Sequence, residues 1–218
     1  MPAAKPNGPP EFDSHFQAKL FSLFEWRRDV RRFKRDPLSD DILALLLSAA
    51  NLAPSVGLSQ PWRFVQVIDP ARRAEVRKNF QRANKEALAD YAGERAHSYA
   101  RLKLAGLDEA PVHFAVFCDE ATTQGHGLGR KSMPEMLRYS VVTAVQNLWL
   151  AARSLEVGVG WVSILEPQSL NSTLSVPEDW TLVAYLCVGY PQEDAAEPEL
   201  ERLGWEERRG LMDMVIQR

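Results

Sequence analysis

The chain has 218 residues, of which 45% are hydrophobic and 25% are charged, and its formal net charge is −3. This length suits one domain with a sizeable core, and the balanced charge argues against a nucleic-acid-binding protein. No apolar run reaches the roughly 18 residues that a membrane span needs, and the proline-rich start lacks the apolar region of a secretory signal. We therefore expect a cytoplasmic protein with a flexible tail at 1–12 and one domain at 13–218.

The two cysteines, Cys118 and Cys187, each lie inside an apolar, strand-like run. Buried thiols in a reducing compartment fit this placement better than a disulfide does. The four histidines are scattered and match no metal-ligand spacing, so we expect no metal site.

The first predicted helix carries apolar residues at helical spacing from Phe16 to Phe24 and leads into a cluster of arginines, Arg27-Arg28-Asp29-Val30-Arg31. Crowded guanidinium groups commonly bind phosphate, because they are planar, permanently charged and bidentate. A carboxylate among them cancels part of that charge, which suggests that Asp29 has a chemical role. Taken alone, the five residues fit a solvated basic helix end with a local Asp–Arg pair better.

The second predicted helix is capped by Ser39 and ended by Pro54. The loop at 53–62 follows, with the sequence APSVGLSQPW. Its two prolines and one glycine impose an irregular backbone, and polar side chains such as Ser55 can hydrogen-bond the edge of a flat heterocycle. An ordinary turn between a helix and a strand explains the loop equally well.

Four strand-like runs predict a sheet, and they lie at 64–68, 113–118, 160–165 and 181–189. The other predicted segments are a charged helical region at 70–110 broken at Gly93 and Gly106, a glycine-rich loop at 121–132, an apolar helix at 135–155, a short helical piece before the last strand and an acidic C-terminal tail. The apolar helix should lie in the core or at a subunit interface. Helices and strands intermix without strict alternation, so we expect an α+β layered sandwich, with a central mixed β-sheet flanked by helices.

The segment GVGWVSI at 158–164 is a further candidate site. Strand alternation would place Trp161, Ser163 and Leu165 on one face. A small hydroxyl between an indole and a leucine suits the wall of a pocket for a planar molecule. In isolation, a half-buried edge strand with a satisfied serine is the favoured interpretation.

Two arginines, Arg208 and Arg209, follow Trp205 near the C-terminus. Surface charge is the default interpretation of such arginines. The functional alternative is a phosphate that they share with Arg27 and Arg31. The chain contains no glycine-rich phosphate loop of the P-loop or dinucleotide type.

The order and spacing of these motifs resemble the FMN-binding nitroreductase superfamily over nearly all of 15–210, and within it the BluB group of 5,6-dimethylbenzimidazole synthases. The segments that carry the resemblance are RRDVR (27–31), APSVG (53–57), QPW (60–62), LKLAG (102–106), AVQNLWLAAR (144–153), GVGWVSI (158–164) and PELERLGW (198–205). Two departures from the general reductase pattern both fit that group: Asp29 replaces a serine, and Leu58 replaces an asparagine.

The resemblance implies an unusual reaction, in which reduced FMN is the substrate as well as the apparent cofactor. Molecular oxygen would be the co-substrate, and the flavin would be broken apart into 5,6-dimethylbenzimidazole, the lower ligand of vitamin B12, and erythrose 4-phosphate. A homodimer with flavin at the subunit interface is also implied. A separate flavin reductase is a plausible source of reduced FMN, because no nicotinamide motif stands out.

The resemblance also assigns roles to individual residues. The residues implied to bind FMN are Arg27, Arg28, Arg31 and Arg208 at the phosphate and ribityl chain, together with Ser55, Leu104 and Ser163. Asp29 and Ser163 match the functional acid and serine of the group, and Asp29 would act as a general base. The charged region 84–110, which includes Leu104, is a candidate lid that would exclude water; a plain solvated helix is the alternative.

Two other functions compete with the synthase. An NAD(P)H-dependent FMN nitroreductase would oxidise NAD(P)H steadily with nitroaromatic acceptors and leave its FMN intact. A non-catalytic flavin-binding protein would bind reduced FMN and leave its reoxidation unaltered.

Overall fold

The computed structural model describes residues 8–94, 97, 99 and 105–218. One sheet contains four strands in the order β1-β2-β4-β3, with β1 at Trp62–Gln66, β2 at Val112–Asp119, β3 at Gly158–Val162 and β4 at Trp180–Gly189. Every neighbouring pair in this sheet is antiparallel. The α+β class is confirmed, but the prediction of a mixed sheet is wrong for these strands. Within the described ranges, parallel pairing is limited to one isolated bridge between Asp29 and Val159. Side-chain alternation is the same in either direction along a strand, so it does not report strand orientation.

Helices flank both faces of the sheet. They are α1 (Ser14–Trp26), α2 (Asp40–Asn51), α3 (Pro70–Ala89), α4 (Gly106–Glu109), α5 (Met136–Ser154), α6 (Pro167–Leu174) and α7 (Glu199–Arg202). Short 3-10 turns lie at Val56–Leu58 and Leu211–Asp213. The predicted Ser39 cap is confirmed, because its hydroxyl accepts a hydrogen bond from the Ile42 N–H. Among the described residues, no helix combines the length and apolar character that crossing a membrane requires.

The core forms two layers, one on each face of the sheet. The first layer packs α2 and α5 against the strands, and the second packs α3, α4 and α6 with Phe33 on the opposite face. Strand β2 is buried on both faces, which explains its continuous apolar sequence. The prediction for the helix at 135–155 is confirmed, since α5 lies in the core along most of its length. Both cysteines are buried and unpaired, as expected.

The strands β1 and β3 each begin two residues earlier than the sequence predicts. For β3 the reason is local: Gly158 has poor strand propensity, yet it lies in the ladder opposite Gly189 of β4. Within the charged region, α3 ends at Ala89, before Gly93. Part of the candidate lid, including Leu104, lies outside the described residues, so the lid stays a prediction.

Candidate functional site

The arginine cluster is an extended segment that lies along the β3 edge of the sheet. The Val30 N–H donates to the Val159 carbonyl at 3.0 Å, and the Lys34 N–H donates to the Tyr190 carbonyl at 2.8 Å. Phe33 is fully buried and anchors the segment in the core. The interpretation as a solvated helix end is therefore wrong, because α1 stops at Trp26 and tertiary contacts hold the residues that follow.

Two glycines of β3 make this close approach possible. A Cβ atom on Gly160 would lie 2.2 Å from the Val30 carbonyl oxygen, and one on Gly158 would lie 2.7 Å from a Val30 methyl carbon. Both distances are shorter than any van der Waals contact. The sequence analysis did not assign this role to the glycines, although paired glycines inside a strand are a known sign of close backbone approach.

We expect the Gly160→Ala substitution to destabilise the protein, because the new methyl group must displace the segment that carries Asp29. The free energy of unfolding should fall by about 1–3 kcal/mol, the usual cost of overpacking, and urea denaturation measures it. Gly210→Ala is the matched control, since its Cβ would meet nothing nearer than an Asp213 carboxylate oxygen at 3.4 Å. Equal stability of the two variants would contradict the close packing described above.

The Asp29 carboxylate is held from two sides. Its Oδ1 accepts a hydrogen bond from the Trp161 N–H at 2.8 Å, and its Oδ2 lies 3.8 Å from Arg31 Nε. The side chain of Asp29 is 38% exposed. Even so, burial is the largest influence on the pKa of Asp29 and raises it. The Trp161 N–H and the charges of Arg31 and Arg27 lower the pKa by less. Asp29 is therefore a stronger base than an ordinary aspartate.

The four arginines predicted to bind FMN meet in one cavity. Its volume is about 120 Å³, and it is lined by Arg27, Arg28, Asp29, Arg31, Pro198, Glu199, Leu200 and Arg208. Arg208 reaches it from the C-terminal tail, and its positive charge lowers the pKa values of Arg27 and Arg28, after the larger influence of burial. Arg209 is exposed and is not among the lining residues.

Two guanidinium nitrogens in this cluster are buried without a hydrogen-bond partner, Arg28 Nε and Arg31 Nη1. The side chain of Arg31 is only 10% exposed. Unsatisfied buried donors of this kind are costly, most of all when charged. The cluster thus has donors and positive charge available for an anion.

A neighbouring cavity of about 40 Å³ differs in its charge. It is lined by the arginines 28, 31, 32 and 202, by the acids Asp29, Glu193, Glu197 and Glu199, and by Val30 and Ala195. These arginines and acids balance, whereas the cavity that contains Arg208 has four arginines against two acids. An anion is therefore favoured in the cavity with Arg208.

Ser163 does not lie on the strand face that alternation predicted. Strand β3 ends at Val162, so Ser163 and Leu165 lie beyond the strand and do not share a face with Trp161 by strand geometry. Ser163 is exposed. Ser163 comes two residues after Trp161, whose N–H donates to Asp29. The acid and the serine therefore both lie near the C-terminal end of β3.

Ser55 lies in a different part of the molecule. Its hydroxyl accepts a hydrogen bond from the Gln60 N–H at 3.1 Å, within a loop where Gly57, Leu58 and Gln60 have positive φ angles. A Cβ on Gly125 of the glycine-rich loop would lie 2.6 Å from the Gly57 carbonyl oxygen, so the two loops are tightly packed. The 53–62 loop is thus more constrained than an ordinary turn. Ser55 is not among the residues that line the arginine cavity.

Two contacts of this site were missing from the sequence analysis. Trp149 of α5 stacks under Arg27, whose Cζ lies 5.0 Å from the ring centre, and its Nε1–H donates to the Arg28 carbonyl at 3.0 Å. Glu199 lines the cavity from α7. Both residues lie inside segments that carry the family resemblance, at 144–153 and 198–205, and that was the available signal.

Comparison with known proteins gives a consistent result. The model of the nitroreductase family matches residues 24–190. A 5,6-dimethylbenzimidazole synthase of Rhodospirillum rubrum is 58% identical over 200 residues, which cover 92% of this chain and 95% of that protein. A protein of the same name from Rhodobacter capsulatus is 45% identical over 196 residues, which cover 90% and 95% of the two chains.

Solved structures show the same architecture. Oxidized iodotyrosine deiodinase bound to FMN and 3-iodo-L-tyrosine superposes with a TM-score of 0.72 at 27% identity, over 91% of this chain and 97% of that chain. A BluB-like flavoprotein from Clostridium difficile 630 gives a TM-score of 0.67 at 18% identity, over 91% and 98% of the two chains. At that identity the second likeness concerns the fold alone.

Proposed function

This chain belongs to the nitroreductase family, and from that premise we propose that it is a 5,6-dimethylbenzimidazole synthase that breaks reduced FMN apart with molecular oxygen. The name of its relatives supports the activity. The observation that carries the proposal is Asp29, a carboxylate with a raised pKa in a cavity rich in arginines. A site that only exchanges electrons with a flavin does not need such a base, whereas cleavage of the flavin requires proton removal.

Reduced FMN suits this cavity through its phosphate. Arg31 Nη1 and Arg28 Nε are buried donors without a partner, and Arg27 and Arg208 add two further positive charges. A phosphate accepts several charge-assisted hydrogen bonds at once. Arg28 also donates to two backbone carbonyls, those of Arg27 and Ala196, so the other three arginines have more capacity left for the phosphate and ribityl chain.

Asp29 acts as the general base. The Trp161 N–H fixes its Oδ1 at 2.8 Å, which leaves Oδ2 to accept a proton from the ribityl chain of the substrate. Because its pKa is raised, the carboxylate accepts that proton more readily than an ordinary aspartate. Reduced FMN supplies the electrons that oxygen requires.

Ser163 follows Trp161, whose N–H binds Asp29, by two residues, and in this proposal it contributes to the outcome of the oxygen reaction. We expect Ser163→Gly to bind FMN normally but to form less 5,6-dimethylbenzimidazole and more hydrogen peroxide. Loss of one hydrogen bond, worth about 1 kcal/mol, corresponds to a decrease of about fivefold. Chromatography of the product and a peroxide assay measure the two yields. Ser163→Thr retains the hydroxyl and should keep most of the product, and a wild-type yield from Ser163→Gly would make the serine merely structural.

A second copy of the chain completes the flavin site in this proposal. The arginine cavity of about 120 Å³ is too small for a flavin, since pockets for such ligands measure roughly 300–1,000 Å³. Ser55 lies outside it, and large apolar side chains remain exposed in the single chain, among them Phe21 at 68% and Leu52 at 83%. Such exposed apolar surface is typical of an interaction site, and a homodimer would cover it and bring the 53–62 loop to the flavin.

One experiment tests the proposed reaction. The protein is loaded with reduced FMN without oxygen, air is admitted, and the fate of the flavin is followed by mass spectrometry. We expect 5,6-dimethylbenzimidazole and erythrose 4-phosphate, with the remaining four carbons and two nitrogens of the flavin pyrimidine ring in a third fragment. Intact FMN with hydrogen peroxide would overturn the proposal, and steady NAD(P)H oxidation with a nitroaromatic acceptor would favour a nitroreductase. Product from NADH and FMN only after addition of a separate flavin reductase would support the reductase as a partner.

A further inference from the structure

Glu199 is a second carboxylate in the cavity of Asp29. It begins α7, in the C-terminal segment that covers the arginine cluster, and it lines both cavities in which Asp29 takes part. Its side chain is only 14% exposed, whereas that of Glu193 in the same segment is 59% exposed. Glu199 is therefore largely buried in the site, whereas Glu193 lines the smaller of these two cavities, is absent from the lining of the larger one and is mostly exposed.

The ion pair of Glu199 is weak for so buried an acid. Its Oε1 lies 3.9 Å from Arg32 Nη2, beyond hydrogen-bond distance. Arg32 is also shared with Glu193, whose Oε1 lies 4.0 Å from Arg32 Nη1. A mostly buried carboxylate without a close counter-ion is costly to the fold, so its position calls for a role in the site.

We propose that Glu199 is a positioning residue of the reaction, which opposes the arginine charges around Asp29 and thereby keeps Asp29 a strong proton acceptor. This inference rests on the proposed function. Without an opposing charge, several guanidinium groups beside a carboxylate would hold it permanently ionised and weakly basic. Glu199 supplies the opposing negative charge from outside the arginine segment.

The groups around Asp29 support this role for Glu199. The charged, titratable and hydrogen-bonding groups that face it are Arg27, Arg28 and Arg31 of its own segment, the Trp161 N–H of β3, the Cys187 thiol of β4, Glu199 of α7 and Arg208 of the tail, together with Arg32, Glu193, Glu197 and Arg202 across the smaller cavity. The negative charge of Glu199 raises the pKa of Asp29; this influence adds to that of burial and is smaller than the opposing influences of the Trp161 N–H, Arg31 and Arg27. Among the other acids that line the two cavities of Asp29, Glu199 is the one that lines both.

The test compares Glu199→Gln with Glu193→Gln, which removes an acid that pairs with the same Arg32 from the solvent side. The Asp29 carboxyl is titrated by ¹³C NMR in the full chain without flavin, and its signal is assigned with Asp29→Asn. We expect the titration midpoint to shift to lower pH in Glu199→Gln and to stay in place in Glu193→Gln. Glu199→Asp keeps the charge and should show a smaller shift, and Glu199→Ala, which also removes the charge, replaces Glu199→Gln if that variant does not fold.

Product formation gives the second readout. A base must be unprotonated to act, so a lower pKa of Asp29 should move the acidic limb of the pH profile to lower pH in Glu199→Gln. The maximal rate should fall severalfold, because the base is weaker. An unchanged Asp29 midpoint in folded Glu199→Gln, or in Glu199→Ala where that variant takes its place, overturns the role of Glu199, even if the enzyme makes its product. If the Asp29 midpoint shifts in Glu199→Gln but the wild-type protein never forms 5,6-dimethylbenzimidazole, the proposed function is overturned. The charge coupling between Glu199 and Asp29 then still holds.

Discussion

Asp29→Asn is expected to abolish formation of 5,6-dimethylbenzimidazole while FMN still binds. General bases typically contribute about 10²–10⁴-fold to a rate, and an amide cannot replace that contribution. The fold should persist, because the Asn Oδ1 can still accept the hydrogen bond that the Trp161 N–H donates at 2.8 Å. The neutral side chain also no longer carries the desolvation cost that raises the pKa of Asp29. Chromatography after the variant is mixed with reduced FMN and air measures the yield, and flavin fluorescence measures binding.

The matched control is Asp194→Asn, the same chemical change at an exposed acid that pairs with Arg153. This control should form product as the wild type does. A wild-type yield from Asp29→Asn would remove Asp29 from the chemistry. Loss of FMN binding together with activity would show instead that Asp29 acts in binding.

Arg208→Gln is expected to weaken the binding of reduced FMN by about 10- to 100-fold. A hydrogen bond to a charged group is worth about 1.5–3 kcal/mol, and each 1.4 kcal/mol is a factor of about ten in the dissociation constant. The affinity should fall because a contact with the FMN phosphate is lost, since Arg208 lines the cavity in which arginines outnumber acids. Anaerobic titration of the protein with reduced FMN measures it.

Arg209→Gln offers a control of the same type at the next position. Arg209 is exposed and does not line the cavity, so its replacement should leave the affinity unchanged. Raising the salt concentration should reduce the difference in FMN affinity between the two variants, because salt screens the attraction between Arg208 and the phosphate. Equal affinity of the two variants at low salt would exclude Arg208 from the phosphate site.

Much of the architecture was predictable from local sequence signals. The helix at 135–155 and the strands at 113–118 and 181–189 were predicted to within one or two residues of α5, β2 and β4, because long apolar runs depend mainly on burial. The antiparallel sheet was not predictable, since strand direction depends on which strands pair rather than on any one of them. The start of strand β3 was predicted two residues too late. Gly158 has poor strand propensity, but the absence of a side chain there allows the contact with Val30.

The candidate site was predictable in its residues but not in its arrangement. The arginine segment and Arg208 were both proposed, and they line one cavity although they lie far apart in the chain. Ser163 was placed on a strand face by alternation, which fails because β3 ends at Val162. Glu199 and Trp149 were not singled out, since acidic and aromatic residues are common in such segments.

By itself, the sequence determined the fold class, the family resemblance and the residue types that carry the chemistry. These follow from periodicity and from motifs that are contiguous in the chain. Only the tertiary structure decided the basicity of Asp29, because its pKa depends on burial, on one N–H from β3, on the positions of the Arg31 and Arg27 charges and on the charge of Glu199 in α7. Opposing influences of this kind depend on distances between residues that are remote in sequence, and residue order alone does not contain those distances.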